Sequence, residues 1–230
     1  MLFSIFQMNA DFKVVVAILG AYLLVLMFSF SVHEFAHGYS AYLNGDMTAK
    51  NSGRMTINPF AHMDAVGFIC LILFGFGWAK PVPINPYYFT RGKKSMFAVS
   101  FAGIASNLIL AIIFSLTYAL VGFFAPEFMF VAETPISVFV FYLLMYGTLL
   151  NLALAVFNLL PFYPLDGSKI LELWLKPNNK FLQFMQRYST IIVLLLLIFG
   201  VLSAFINMIV NYLGLGLVSL WESLLELIFN

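Results

Sequence analysis

Charge is what this sequence has least of. Only 9% of its 230 residues are Asp, Glu, Lys or Arg, against about 25% in a typical soluble domain, while 63% are hydrophobic. The mean hydropathy is +0.99. A soluble fold of this length cannot hide that much apolar surface, so lipid is the expected solvent. The formal net charge of +1 excludes the basic face that a nucleic-acid binder presents, so no nucleic-acid partner is expected. A single cysteine, Cys70, excludes an internal disulfide and a cysteine-rich zinc site. The first basic residue is Lys13, so the charged start of a cleaved secretory leader is not expected. There is no internal repeat, and no polar stretch looks long enough for a separate soluble domain. A single membrane-embedded domain over residues 1–230 is therefore expected, with a core at about residues 14–176 and C-terminal helices over 188–229.

What is present in quantity is long apolar runs: Val14–Leu43, Ala65–Trp78, Met96–Phe124, Ile136–Leu160 and Tyr188–Val210. A membrane-spanning helix needs about 20 residues, and four of these runs qualify. Ala65–Trp78 is short and carries Gly67, Gly75 and Gly77, which suits a re-entrant or bent piece. The basic residues support this. Lys50 and Arg54 follow the first run, Lys80, Arg91, Lys93 and Lys94 follow the short one, and Lys169, Lys176, Lys180 and Arg187 follow Leu160. Residues 125–135 hold only Glu127 and Glu133. By the positive-inside rule the basic stretches are cytoplasmic, and the short segment enters and leaves on one side. The fold class expected is an all-α polytopic helical bundle in the cell membrane. Its last segment reads as an amphipathic interfacial helix that can also serve as a packing or oligomer surface, with Ser219, Glu222, Ser223 and Glu226 on one face. The linker over residues 79–90 holds Pro81, Pro83 and Pro86, which rule out a helix there.

The chemistry is concentrated in His33-Glu34-Phe35-Ala36-His37 on the first run. Residues four apart share a helical face, so both imidazoles can reach one ion. Glu34 then projects beside the metal, where it can accept a proton from an attacking water. Nitrogen and oxygen donors without redox demand favour a single zinc ion. The pattern arises by chance in roughly one chain in a hundred of this length at ordinary composition. Inside an apolar helix it is also costly unless it binds something, since intramembrane ionisable groups mark function by default.

A catalytic zinc takes three protein ligands. Glu127 and Glu133 fall on the opposite membrane face, Glu222 and Glu226 on the surface-type helix, and Asp46 and Asp64 at loop ends where solvation or capping is expected. His62 is a further candidate. Asp166 follows the fourth run in the turn Asn158-Leu-Leu-Pro161-Phe-Tyr-Pro164-Leu-Asp166-Gly167. It reads equally as a ligand or as the cap of a short helix over Ser168–Leu175.

HEFAH and NLLPFYPLDG together resemble the signatures HExxH and NxxPxxxLDG of the site-2 protease family, which are intramembrane zinc metalloproteases. GWAKPVPINP, NPFAHMD and Gly103-Ile-Ala-Ser-Asn107 also resemble stretches of its compact prokaryotic members, those without a PDZ or CBS domain. The resemblance covers about residues 30–170. It implies that Asp166 is the third zinc ligand and Glu34 the general base. Asn158, and less directly Asn107, become candidates to orient substrate or donate to an oxyanion; an interhelical hydrogen bond is the alternative for each. His62 has no place in that ligand set and is expected to hold its loop. The substrates implied are membrane-spanning segments of proteins, with selection by the bundle, by a second copy, or by a regulatory membrane partner. The extended segment Pro81–Tyr88 would receive an unwound substrate strand by edge addition. The rival from another class is a divalent-metal transporter, which would stage ligands along a path between pseudo-symmetric halves. Neither feature is visible in the sequence, and a purely structural zinc site would have no need of Glu34.

Overall fold

The protein is described here by a computed structural model covering residues 11–74, 77–132, 134–176 and 178–229. Gly75 and Glu133 lie outside the described residues.

Three long helices form the centre, each packed on the other two: α1 (Phe12–Leu43), α5 (Lys93–Phe124) and α6 (Pro135–Leu159). Local signals set their ends. Asp11 accepts a hydrogen bond from the Lys13 amide to open α1, and Thr134 caps α6 through the Ser137 amide ahead of Pro135 in the first turn. At 32 residues, α1 and α5 are about 48 Å long, well over the roughly 30 Å of a bilayer core. Their ends therefore reach into the polar zone. Small residues mark the crossings. Ala21 and Ala111 are fully buried, and a Cβ on Gly147 of α6 would collide with the Phe114 ring of α5. In lipid, close approach of this kind holds helices together through dispersion, because burying apolar surface gains nothing over lipid contact.

Between α1 and α5 the chain forms short α2 (Thr48–Asn51), α3 (Pro59–His62) and α4 (Ala65–Phe74), then an extended stretch and a 3₁₀ turn at Pro86–Tyr88. Met63 and Ala79 pair as an antiparallel bridge, and the Lys80 amide donates to the His62 carbonyl at 2.7 Å. Met63 and Ala79, at the two ends of this excursion, thus lie side by side, and a side chain on Gly67 would collide with the Trp78 backbone. A ten-residue helix rises only about 15 Å, half the apolar thickness. This is the path of the re-entrant piece expected from length and charge.

Beyond α6 come α7 (Asp166–Glu172), α8 (Lys180–Ile198) and α9 (Val201–Phe229). Here the structure corrects the sequence reading once. Tyr188–Val210 is not one span, because Gly200 at φ +72° breaks the run and separates α8 from α9. An apolar run says nothing of direction, and only glycine takes that backbone conformation freely. The segment expected as an interfacial or packing helix is the second half of α9, and it packs on α5. Trp221 Nε1 donates to Ser115 Oγ at 3.0 Å, and Phe229 meets Phe123 and Phe124. The polar stripe Ser219, Glu222, Ser223 and Glu226 remains on its exposed side. The stronger amphipathic pattern is in α8, where Leu182, Met185 and Ser189 are buried and Lys180, Gln183, Gln186 and Arg187 are exposed. Five of these helices, α1, α5, α6, α8 and α9, are long and apolar enough to cross a membrane. The chain is a multi-pass membrane protein.

The Gly147 contact is testable. Gly147→Ala should destabilise the bundle by about 1–3 kcal/mol through overpacking against Phe114, read as a lower Tm in detergent. Gly216→Ala, where a Cβ meets nothing within 4 Å, should not. Equal thermal stability of Gly147→Ala and the parent would show that α5 and α6 are less closely packed than described.

Candidate metal centre

Three side chains from two elements converge toward one end of the bundle. His33 and His37 come from α1, one helical turn apart, and Asp166 is the first residue of α7. His37 Nε2 lies 3.0 Å from His33 Nε2 and 2.9 Å from Asp166 Oδ2, and His33 Nε2 lies 3.2 Å from the same oxygen. All three residues are buried. Two glycines make this possible. A Cβ on Gly103 of α5 would collide with the His37 imidazole, and one on Gly167 would collide with the Leu159 and Leu160 carbonyls at the end of α6. Pro161 stops α6, and Gly167 lets the returning chain lie against that end, which carries Asp166 under α1. The cap of α7 is Leu165, and Asp166 makes no capping bond there; its Oδ1 pairs instead with Lys169 Nζ at 3.1 Å. Burial by itself would raise the Asp166 carboxyl, but the two imidazoles and Lys169 hold it below the ordinary carboxylate range.

The reverse sides of the imidazoles decide whether a metal fits. His37 Nδ1 stands 2.7 Å from the Val99 carbonyl, which can only accept, so that nitrogen carries the proton. His33 Nδ1 stands 2.6 Å from Asn107 Oδ1. Both Nε2 atoms then point lone pairs at each other and at a carboxylate oxygen. One extra proton can bridge two of these atoms but not all three, whereas a cation among them satisfies the set. The donor set is that of zinc: two nitrogens, one oxygen and no thiolate.

The other expected residues fall as follows. Glu34 is half-buried on α1, and its Oε2 accepts the Val82 amide at 2.7 Å. Asn107 is fully buried behind His33, with its Nδ2 donating to Asn151 Oδ1 at 2.9 Å. Both ends of that amide are engaged away from any substrate. Asn158 donates to the Leu154 carbonyl of its own helix at 2.9 Å, and no bond ties it to the His33–His37–Asp166 group. His62 holds its loop as expected, donating from Nε2 to the Thr56 carbonyl at 2.7 Å; it lines a cavity of about 40 Å³ with Met27, Phe30, Ser31, Phe68 and Trp78.

Asp46 is not solvated. It is fully buried, accepting from the Thr48 amide and hydroxyl and from the Asn85 amide at 2.7 Å. Arg54 Nη2 donates to the Lys80 carbonyl at 2.8 Å, and Arg91 reaches Asn44 Oδ1 at 2.8 Å. These bonds pin the proline-rich stretch against the end of α1, with Val82 buried over Gly38. Few amides of this stretch are left for edge addition. The Val82, Asn85, Tyr87 and Tyr88 amides are engaged and Pro81, Pro83 and Pro86 have none, which leaves the Ile84 amide.

Sequence reasoning missed Asn151, Lys169, and the Val99 and Val82 backbone groups. Asn151, an amide within an apolar helix, carried a usable signal. Backbone partners carry none.

Fold and site together describe a membrane-embedded metalloprotease. The model of the family described as "Peptidase family M50" matches residues 21–200, and the chain belongs to that family, the site-2 proteases. It is 42% identical over 149 residues to the "Putative zinc metalloprotease YwhC" of Bacillus subtilis, covering 65% of this chain and 66% of that protein. It is 33% identical over 190 residues to the "Putative zinc metalloprotease Rip2" of Mycolicibacterium smegmatis, covering 78% of this chain and 68% of that one. A Rip2 of Mycobacterium tuberculosis is 28% identical over 170 residues, 61% of its length. The chain thus spans about two thirds of these relatives. No solved structure gives a significant match. Nothing in these likenesses supports a divalent-metal transporter.

The pinning of the proline-rich stretch has a pH dependence. Burial would raise the Asp46 carboxyl, but hydrogen bonds from Thr48 and Asn85 outweigh it and hold it below the ordinary range. A depressed folded value means that stability is present above the unfolded carboxylate range, about pH 4, and is lost as pH falls through the folded value. Asp46→Asn should therefore speed hydrogen exchange at the Asn85 amide at pH 7, where the parent protects it. Equal protection in both would remove Asp46 from this role.

Proposed function

We propose that this chain is a zinc endopeptidase that hydrolyses peptide bonds in or near membrane-spanning segments of protein substrates. His33, His37 and Asp166 hold one zinc ion, and Glu34 moves the proton. The observation that carries this reading is the convergence of three buried acceptors whose other sides are tied to Asn107, Val99 and Lys169. Zinc bound there would polarise the scissile carbonyl and lower the pKa of water.

The chain's own groups supply the rest. Glu34 follows the first ligand, and the Val82 amide fixes one of its carboxylate oxygens. Glu34 Oε1 is then oriented to accept a proton from the attacking water and return it to the leaving amine. For the oxyanion, Asn158 is the better candidate of the two amides. It is half-buried at the end of α6, close in sequence to the turn that carries Asp166, and rotation away from Leu154 frees its donor. Asn107 serves as the partner of His33 instead.

The sidedness proposed is cytoplasmic. Lys50, Arg54, Lys80, Arg91, Lys93 and Lys169 lie on the loops and helix ends around this site, and the positive-inside rule places such loops in the cytoplasm of a cell-membrane protein. Lys93 Nζ bonds the Leu173 carbonyl just beyond α7, which ties two of these basic stretches together. Substrate selection by a second copy or a regulatory membrane partner belongs to the same reading.

Purified protein incubated with a panel of single-span substrates tests this. Glu34→Gln should keep one zinc per chain while cleavage falls by at least about 100-fold; equal cleavage by variant and parent would refute it. Asp166→Ala should lose zinc in dialysis against a weak chelator, and full retention would reassign the third ligand.

A further inference from the structure

Behind the metal centre lies a chain of buried amides crossing three helices. Asn107 on α5 links His33 to Asn151 on α6, and Asn151 Nδ2 donates to Ser29 Oγ on α1 at 2.9 Å and to the Gly147 carbonyl at 2.7 Å. Ser29, Asn107 and Asn151 are each fully buried. In this setting every polar atom must find its complement or cost free energy.

We infer that Asn151 is a positioning residue that fixes which nitrogen of His33 is free for the metal. The logic runs from a fixed point. The Gly147 carbonyl can only accept, so the Asn151 atom facing it must be the NH₂ group. Asn151 Oδ1 must then face Asn107 and can only accept, which turns the NH₂ group of Asn107 toward it. Asn107 is left with Oδ1 toward His33, so His33 Nδ1 carries the proton and Nε2 presents its lone pair. One backbone carbonyl thereby sets the tautomer of a ligand three bonds away. His37 needs no such relay, because the Val99 carbonyl sets it directly. On α5, His33 faces the Asn107 side chain rather than a backbone carbonyl. Asn107 supplies the missing acceptor, and an amide supplies an unambiguous one only if its other end is held.

The inference rests on His33 being a zinc ligand, which is tested first: His33→Ala must lose zinc. Given that loss, zinc affinity is measured by chelator competition on the zinc-loaded protein. Asn151→Leu, apolar and of similar size, should bind zinc about 10-fold more weakly, in line with the cost of disturbing ligand-orienting partners. Its His33 Nδ1 proton should exchange faster in ¹⁵N-histidine spectra. Ser29→Ala should change neither, because the Gly147 carbonyl still orients Asn151. That contrast separates tautomer control from a general loosening, which would follow any break in the network. Unchanged zinc affinity and exchange in Asn151→Leu would overturn the inference. Where that variant does not fold, the parent alone decides: His33 bound through Nε2 with a proton on Nδ1 supports the relay, and binding through Nδ1 refutes it. Zinc retained in His33→Ala would instead refute the ligand assignment.

Discussion

Three electron-pair donors held within about 3 Å of one another, away from water, are the constraint on which the rest of this structure depends. Left alone they repel, and a low-dielectric surrounding magnifies that repulsion. Every unusual feature nearby serves to bring them together or to aim them. Gly103 and Gly167 remove the side chains that would keep α5 and the Pro-Leu-Asp-Gly turn away. The Val99 carbonyl and Asn107 Oδ1 occupy the rear nitrogens, and Lys169 occupies the far oxygen of Asp166. A bundle stabilised by apolar packing alone would have no use for any of these. They are intelligible as the scaffold of a cation.

The scarcity of charge elsewhere follows from the same solvent. In lipid, buried polar groups are costly unless paired, and six of the interior polar residues here form one connected chain, from Ser29 to Asp166 through Asn151, Asn107, His33 and His37. The charges outside the membrane segments serve a second purpose. Asp46, Arg54 and Arg91 tie the proline-rich stretch to the end of α1, and that stretch delivers the Val82 amide to Glu34. The base of the proposed reaction is thus positioned by a loop rather than by its own helix, which couples loop order to chemistry.

Much of this was legible in the sequence for identifiable reasons. HExxH declares its geometry because helical periodicity is rigid, and the short Gly-bearing run between basic stretches declared a re-entrant path through length and charge together. Asp166 was ambiguous until its surroundings were known, since an Asp after two prolines caps a helix as readily as it ligates. The Gly200 break and the docking of α9 were not legible: hydropathy reports solvent preference, not which apolar residues meet. Asn107 stayed open between substrate and an interhelical hydrogen bond because the sequence gives a residue's helix but not the side of the histidine on which it sits. The engagement of the Val82 and Asn85 amides was not legible either, since their partners lie about 40 to 50 residues earlier.

The most direct measurement is X-ray absorption at the zinc edge of the purified protein. The structure predicts one zinc per chain with a first shell wholly of nitrogen and oxygen at about 2.0–2.1 Å, and outer-shell scattering from two imidazoles. A sulfur ligand, or scattering from any other number of imidazoles, would contradict the assignment of His33, His37 and Asp166.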